Sequence, residues 1–276
     1  NNWKKLTGFF PNNRPVKFVF MKDLEDPYYN QILYVPTISY NFYDGLTPGI
    51  RLHNKTILDK PFIFEINPSY SSKSDNLSGS AIFVINQNYR NSTLYNAKYS
   101  MSGSYFHYAQ DATYLKLNPT VQLRIRQPNF RDNRKQLILF RQVIVNKEKS
   151  AFVTENSPEN YSVFDARYIN TRTEVTNHFN FSSNIQVSGD FGKVIGELEY
   201  RKLFENNRQI NLRFYAGSFL YNKTQSDFFS FALDRPTDYL FDYNYFGRSE
   251  SMGLFSQQYI QAEGGFKSKI ATPFAN

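Results

Sequence analysis

Two carboxylates, Glu197 and Glu199, come nearest to a chemical constellation in this sequence. At i and i+2 on an extended segment they share one face, and paired carboxylates can shift each other's pKa and divide acid and base roles. Lys193 and Arg201 fall on that same face, so the stronger expectation for the four is an ion-pair ladder. His53, His107 and His178 lie in three separate segments, outside any H-E-x-x-H helix or pair with ligand spacing. No catalytic zinc is therefore expected. There is no G-x-S-x-G elbow, no Walker-type phosphate loop and no cysteine, which excludes disulfides and thiolate nucleophiles. The residues predict no enzyme chemistry, cofactor or metal within this chain.

The elements that must position these side chains are strands. From Leu115 to Ile125 the odd positions read Leu, Leu, Pro, Val, Leu, Ile and the even ones Lys, Asn, Thr, Gln, Arg. The same split separates Tyr95, Ala97, Tyr99, Met101, Gly103 and Tyr105 from Asn96, Lys98, Ser100, Ser102 and Ser104. Phe62, Phe64, Ile66, Pro68 and Tyr70 likewise alternate with Glu65, Asn67 and Ser69. Successive side chains on a strand point to opposite faces, so each segment presents one apolar and one polar face. Twelve are expected: 31–42, 48–58, 62–71, 77–89, 93–107, 114–127, 136–146, 161–170, 174–187, 191–204, 208–220 and 255–267. Soluble strands average about five or six residues, whereas a tilted membrane-crossing strand needs about 9–11.

Composition points the same way. The 276 residues include 21 Tyr and 27 Phe but one Trp, while mean hydropathy is negative, a mixture unusual for a soluble core. The 32 Lys and Arg exceed 24 acids by a formal +8, but they are scattered, which favours a solvated polar face over a nucleic-acid patch. No run approaches the roughly 18 apolar residues of a membrane-spanning helix.

Turn-forming clusters join the segments at Tyr43-Asp44-Gly45, Leu58-Asp59-Lys60-Pro61, Asn170-Thr171-Arg172-Thr173 and Glu205-Asn206-Asn207-Arg208, making neighbours antiparallel. If the first strand rises from the periplasm, connections 43–47, 72–76, 108–113, 147–160, 188–190 and 221–254 lie outside. The two longest then share that side, as in outer-membrane barrels. Tyr40, Phe42, Tyr43, Tyr105, Phe106 and Tyr108, near strand ends, are expected to form an aromatic girdle. The fold class predicted is all-β, an antiparallel transmembrane β-barrel over residues 31–276. A periplasmic lead-in, 1–30, precedes it, in which Phe18, Phe20 and Leu24 form a short strand or a segment tucked beneath the barrel. A packed β-sandwich is the competing fold. Inward positions hold Arg51, Lys55, Glu65, Lys98, Lys116, Arg124, Arg126 and Arg213. Glu263, Gly264 and Gly265 sit in the last strand, where paired glycines mark a bend or a close approach. No secretory signal pattern opens the chain at Asn1, so any export signal is expected upstream.

The stretch YNQILYVPTISYNFYDGLTPGIRLHNKT, Tyr29 to Thr56, its continuation KPFIFEINPSYSSKSDNLSGSA, and FGRSESMGLFSQQYIQAEGGFKSK, Phe246 to Lys269, resemble the barrel domain at the C-terminal end of certain Bacteroidota envelope proteins. That resemblance covers nearly the whole chain, and in some such proteins the barrel resembles a membrane module behind a gluzincin-type zinc aminopeptidase. The plan is also similar to the sixteen-stranded superfamily of outer-membrane assembly factors and two-partner secretion transporters. There an Arg-Gly-aromatic motif in the long outer loop between strands eleven and twelve sends its arginine back into the lumen. Connection 221–254 holds Gly247-Arg248-Ser249-Glu250-Ser251, so the resemblance makes Arg248 the equivalent inward arginine, although Ser249 stands where that motif has glycine and no aromatic follows.

The resemblance implies about four further strands beyond Asn276. It implies a module in a Gram-negative outer membrane that anchors or partners a periplasmic domain, with any peptidase site upstream of Asn1. Its expected partners are outer-membrane lipid and other envelope proteins, without nucleic acid. The alternatives are a component of an outer-membrane assembly or secretion machine, with a weak seam between first and last strands, and a solute porin. A soluble lipocalin-like binder is the least expected.

Overall fold

The computed structural model describes residues 15–21, 26, 28–56, 60–127, 129, 131–152, 160–224, 227–229, 231, 239–240, 245–247 and 258–260. The long alternating segments are strands. They are β1 (Val16–Phe20), β2 (Asn30–Asn41), β3 (Gly45–His53), β4 (Phe62–Tyr70), β5 (Leu77–Asn88), β6 (Leu94–Ala109), β7 (Ala112–Arg126), β8 (Arg134–Lys147), β9 (Asn160–Thr173), β10 (Asn177–Val187), β11 (Phe191–Leu203) and β12 (Gln209–Asn222). They form one twelve-stranded sheet in sequence order, antiparallel from β2 onward. The lead-in stretch supplies β1, which lies parallel to β2 with Val16 opposite Asn30 and Phe20 opposite Tyr34.

The closed barrel expected from the pattern is not what the described residues form. No pairing joins β1 to β12, and the sheet is open among them. The expected strand 255–267 is described only at β14 (Gln258–Ile260), which pairs with β13 (Tyr245–Gly247) in a separate ribbon. Thus β13 is a strand inside connection 221–254, where a loop was expected. The expected hairpin at Asn170–Thr173 is also displaced. Those residues continue β9, paired with β8 on one side and β10 on the other, and the turn falls at Glu174–Thr176, where Glu174 N donates to Asn177 O at 2.7 Å. Ladder bonds on both edges outweigh the local turn preference of Asn170 and its neighbours. β3 begins at Gly45 rather than 48 because that residue, at φ +69°, reverses the chain at once.

Residues directly opposed across strands share a face. One face carries Ile38, Tyr40, Leu46, Tyr70, Leu77, Phe83, Tyr99, Met101, Phe140, Phe164, Ile185, Leu212 and Phe214, all exposed. Register keeps them together: Phe83 is opposite Met101, Val121 opposite Phe140, and Leu198 opposite Phe214. The apolar side chains do not meet in a dry centre, as a sandwich would require. Of the expected girdle, Tyr40, Phe42 and Tyr105 are exposed, whereas Phe106 lies on the polar face, stacked on Tyr114 at 5.1 Å.

Side-chain bonds tie together the end of the sheet that bears the longer connections. The buried carboxylate of Asp44 lies 2.7 Å from His107 Nδ1 and accepts from His107 N at 3.2 Å and Ser74 Oγ at 2.8 Å, while Lys73 N donates to Asp44 O. One residue of the β2–β3 turn thus holds the β4–β5 turn and β6. Asp111, in the β6–β7 turn, accepts from Ser150 Oγ at 2.6 Å and Ala151 N at 2.9 Å; Glu148 accepts from Thr113 N at 2.9 Å.

Asp44→Ala should destabilise the fold by about 3 kcal/mol, because His107 and Ser74 lose a buried acceptor; equilibrium urea unfolding at neutral pH measures this. Hydrogen bonds from Ser150 and from Thr113 hold the Asp111 and Glu148 carboxyls below their ordinary pKa. With folded-state pKa depressed, their hold on residues 148–152 is complete above the ordinary carboxylate range and is lost as pH falls through the depressed values. Amide exchange at Ala151 and Thr113, corrected for intrinsic pH dependence, should therefore rise only on acidification below that range.

Candidate functional site

The polar face is covered at the end bearing the long connections. Beyond β12 the chain returns over this face: a single 3-10 turn, Asp227–Phe229, with Phe231, Tyr239 and Leu240, packs on β8, β9, β11 and β12 as a strap. Phe229 and Tyr239 lie 4.7 and 5.9 Å from Phe191, and Phe229 lies 5.5 Å from Tyr161. Together with Leu240 they bury Val143, Val145 and Val163, forming the hydrophobic cluster of the described residues. Phe231 is 5.0 Å from Phe219 and lies over Gly217, where any Cβ would sit 2.6 Å from its ring. Only glycine admits this approach.

Charges sit beneath the strap. Arg141 Nε donates to Asp165 Oδ2 at 2.7 Å and its Nη1 to Leu240 O at 3.3 Å, and Arg167 Nη2 is 3.5 Å from the same carboxylate oxygen. Asp165 Oδ1 and Asn184 Oδ1 are buried with no hydrogen-bond partner among the described residues. Lys193, 1% exposed, donates from Nζ to Tyr239 OH at 2.8 Å, and Tyr239 OH donates to Gln186 Oε1. The ammonium lies 4.9–5.2 Å from the ring centres of Phe191, Phe219, Phe231 and Tyr239, an aromatic cage in which cation–π attraction offsets part of its desolvation.

The residues singled out from spacing are therefore divided. Glu197 and Glu199 do share the polar face of β11, but their counter-ion is Arg213 of β12. Its Nε lies 2.5 Å from Glu197 Oε1 and 3.9 Å from Glu199 Oε1, and Asn180 Nδ2 donates to Glu199 Oε2 at 3.1 Å. Lys193 shares the register and the face of those glutamates but does not join their ladder, because it stands further along β11 at the end that the strap covers. Arg201 is exposed, opposite His178 and Asn211, and makes no ion pair among the described residues. A second ionic group forms at Glu65, reached by Arg51 at 2.9 Å and Lys55 at 2.8 Å. Arg248, Glu263, Gly264 and Gly265 lie outside the described residues. Among those described, no three His, Asp or Glu side chains are grouped to hold a metal ion.

Sequence reasoning missed Asp44, Arg141, Asp165, Gln186 and Tyr239. A signal existed for the strap: β8 is apolar on both faces over Leu137–Phe140 and again over Val143–Val145, interrupted only by Arg141 and Gln142, which indicates a strand covered on both sides rather than one with a wet face. No protein-family model, curated protein or solved structure matches the chain.

Burial of a large side chain such as Tyr239 contributes about 2 kcal/mol, so Tyr239→Ala should raise the open fraction of the strap roughly 30-fold. In a Val143→Cys background, labelling by a water-soluble maleimide would accelerate correspondingly. Unchanged labelling would mean that the strap is held elsewhere.

Proposed function

We propose that this chain is wall and loop of an outer-membrane β-barrel, a membrane module that anchors or partners a periplasmic domain in the Gram-negative envelope. The observation that carries the reading is the exposed apolar face, continuous in register from β2 to β12 on strands of up to 16 residues. A contiguous apolar surface on this scale is untenable in water, but it is the surface that lipid requires. In β7 the apolar row from Leu115 to Ile125 is about 33 Å of strand at roughly 3.3 Å per residue. Tilted near 45°, this covers about 23 Å, close to the roughly 25 Å apolar band of outer-membrane barrels.

The opposite face is hydrophilic, with Lys98, Ser100, Ser102 and Ser104 on β6 and ionic groups at Glu65 and Arg213, and would line the lumen. The strap lies across it, which favours a covered barrel over an open solute pore. An inward-returning long connection also fits a second reading, a component of an assembly or secretion machine similar in plan to the sixteen-stranded superfamily. The likeness to Bacteroidota barrels behind a zinc aminopeptidase gives the periplasmic partner its proposed character.

Phe140→Arg, in the middle of the lipid-facing row, should cost about 2–4 kcal/mol of folding free energy in phospholipid vesicles. Ser102→Arg, on the polar face, should cost well under half of that. Urea titration of the folded, faster-migrating form on unheated gels reads both. A chain that stays monomeric and folded in buffer without detergent would overturn the membrane reading.

A further inference from the structure

The face assigned to lipid carries an exception at its turn end. Arg134, Arg172 and Lys202 lie on the same face as Phe140, Phe164 and Leu198, below the apolar rows. Arg134 is directly opposite Arg172, Arg172 opposite Phe179, and Phe179 opposite Tyr200, with Lys202 two residues further along that face of β11. All five, with Glu174, line one open cavity of about 530 Å³.

Like charges directly opposed destabilise a strand pair. Only Glu174 answers them, 2.7 Å from Arg172, and neither Arg134 nor Lys202 makes an ion pair among the described residues. Positive charge in excess therefore converges where the strands leave the apolar band, beside two aromatic rings.

We infer that this cavity binds the phosphate of a membrane glycerophospholipid. The inference rests on the membrane reading above. The guanidinium groups of Arg134 and Arg172 offer planar donor forks that suit phosphate oxygens, and Lys202 adds a point charge. Phe179 and Tyr200 present apolar surface toward the acyl side, which a free anion would not use. The site's place on the outward face, rather than among the lumen charges, selects lipid over a solute.

The test is native mass spectrometry of the detergent-solubilised full chain, titrated separately with phosphatidylglycerol, with diacylglycerol, which lacks the phosphate, and with inorganic phosphate. Phosphatidylglycerol should be retained at least roughly tenfold more tightly than diacylglycerol. The double substitution Arg134→Gln with Lys202→Gln should abolish that preference, while Lys98→Gln on the polar face leaves it intact. The gel mobility of the folded form checks that each variant folds. Equal retention of both lipids, or a double variant that binds like the parent, would overturn the inference. So would displacement of the lipid by equimolar inorganic phosphate. A chain that needs no detergent would fail before any lipid is added, and that result would count against the membrane reading instead.

Discussion

Side-chain alternation on strands of this length is the constraint on which every other feature rests. A slip of one residue in any pairing would move a whole row of Phe, Tyr and Leu to the polar face and a row of Lys, Ser and Asn to the other. The antiparallel register is continuous through the middle of the sheet. Its irregularities fall near strand ends, at Leu94/Asn96 and His107/Ala109 on β6 and at Gly192/Lys193 on β11. Placed there, a bulge re-aims a terminal side chain without exchanging the faces of the rows. Lys193, Glu197 and Glu199 therefore keep one face and one register along β11, and the shift beyond Lys193 leaves Leu220 of β12 as the extra residue.

The strap explains charges that a bare polar face would not need to bury. Water would hydrate Arg141, Asp165 and Lys193 if nothing covered them. Once Phe229, Tyr239 and Leu240 exclude water, each charge must find a protein partner, and the partners come partly from the strap itself: Leu240 O for Arg141 and Tyr239 OH for Lys193. A buried ion pair is weak evidence for stability, but it is costly to misplace. The charges therefore act as a register for the strap: shifted along the sheet, Leu240 and Tyr239 would no longer meet their donors. The aromatic contacts supply the attraction, and the polar ones fix the position.

Much of the sheet was legible because the signal repeats. Period two over Leu115–Ile125 or Tyr95–Tyr105 specifies a strand, its two faces and its length at once. Turns were legible where glycine or asparagine forces the backbone, as at Gly45 and at Asn207, φ +59°, but not at Asn170–Thr173, where two neighbouring strands extend the ladder past a locally favourable turn. The ion-pair ladder was half legible. Spacing places Glu197 and Glu199 together, but their partner Arg213 follows from the β11–β12 register, which no single strand encodes. Asp165 and Gln186 meet through the β9–β10 register, and the return of the long connection then brings Tyr239 to Gln186.

The edges of the sheet are where local pattern and global closure part. Backbone N–H and C=O groups facing hydrocarbon cost several kcal/mol each, so on the proposed reading each edge needs a mate. On β2 the short parallel β1 supplies one from Asn30 to Tyr34, but it does not reach Val35–Asn41, which is paired among the described residues only with β3. Among the described residues no strand other than β11 is paired with β12 along its 14 residues, although Ile210, Leu212 and Phe214 extend the apolar face to that margin. A soluble sheet would blunt such an edge with charges or a bulge. Here the apolar row runs to β12, the last strand of the sheet among the described residues, and on the proposed reading that is the pattern of a wall with a further mate. On that same reading, with β1 parallel on the opposite margin, an antiparallel closing strand would meet β2 over its upper half alone or would displace β1 from the lower.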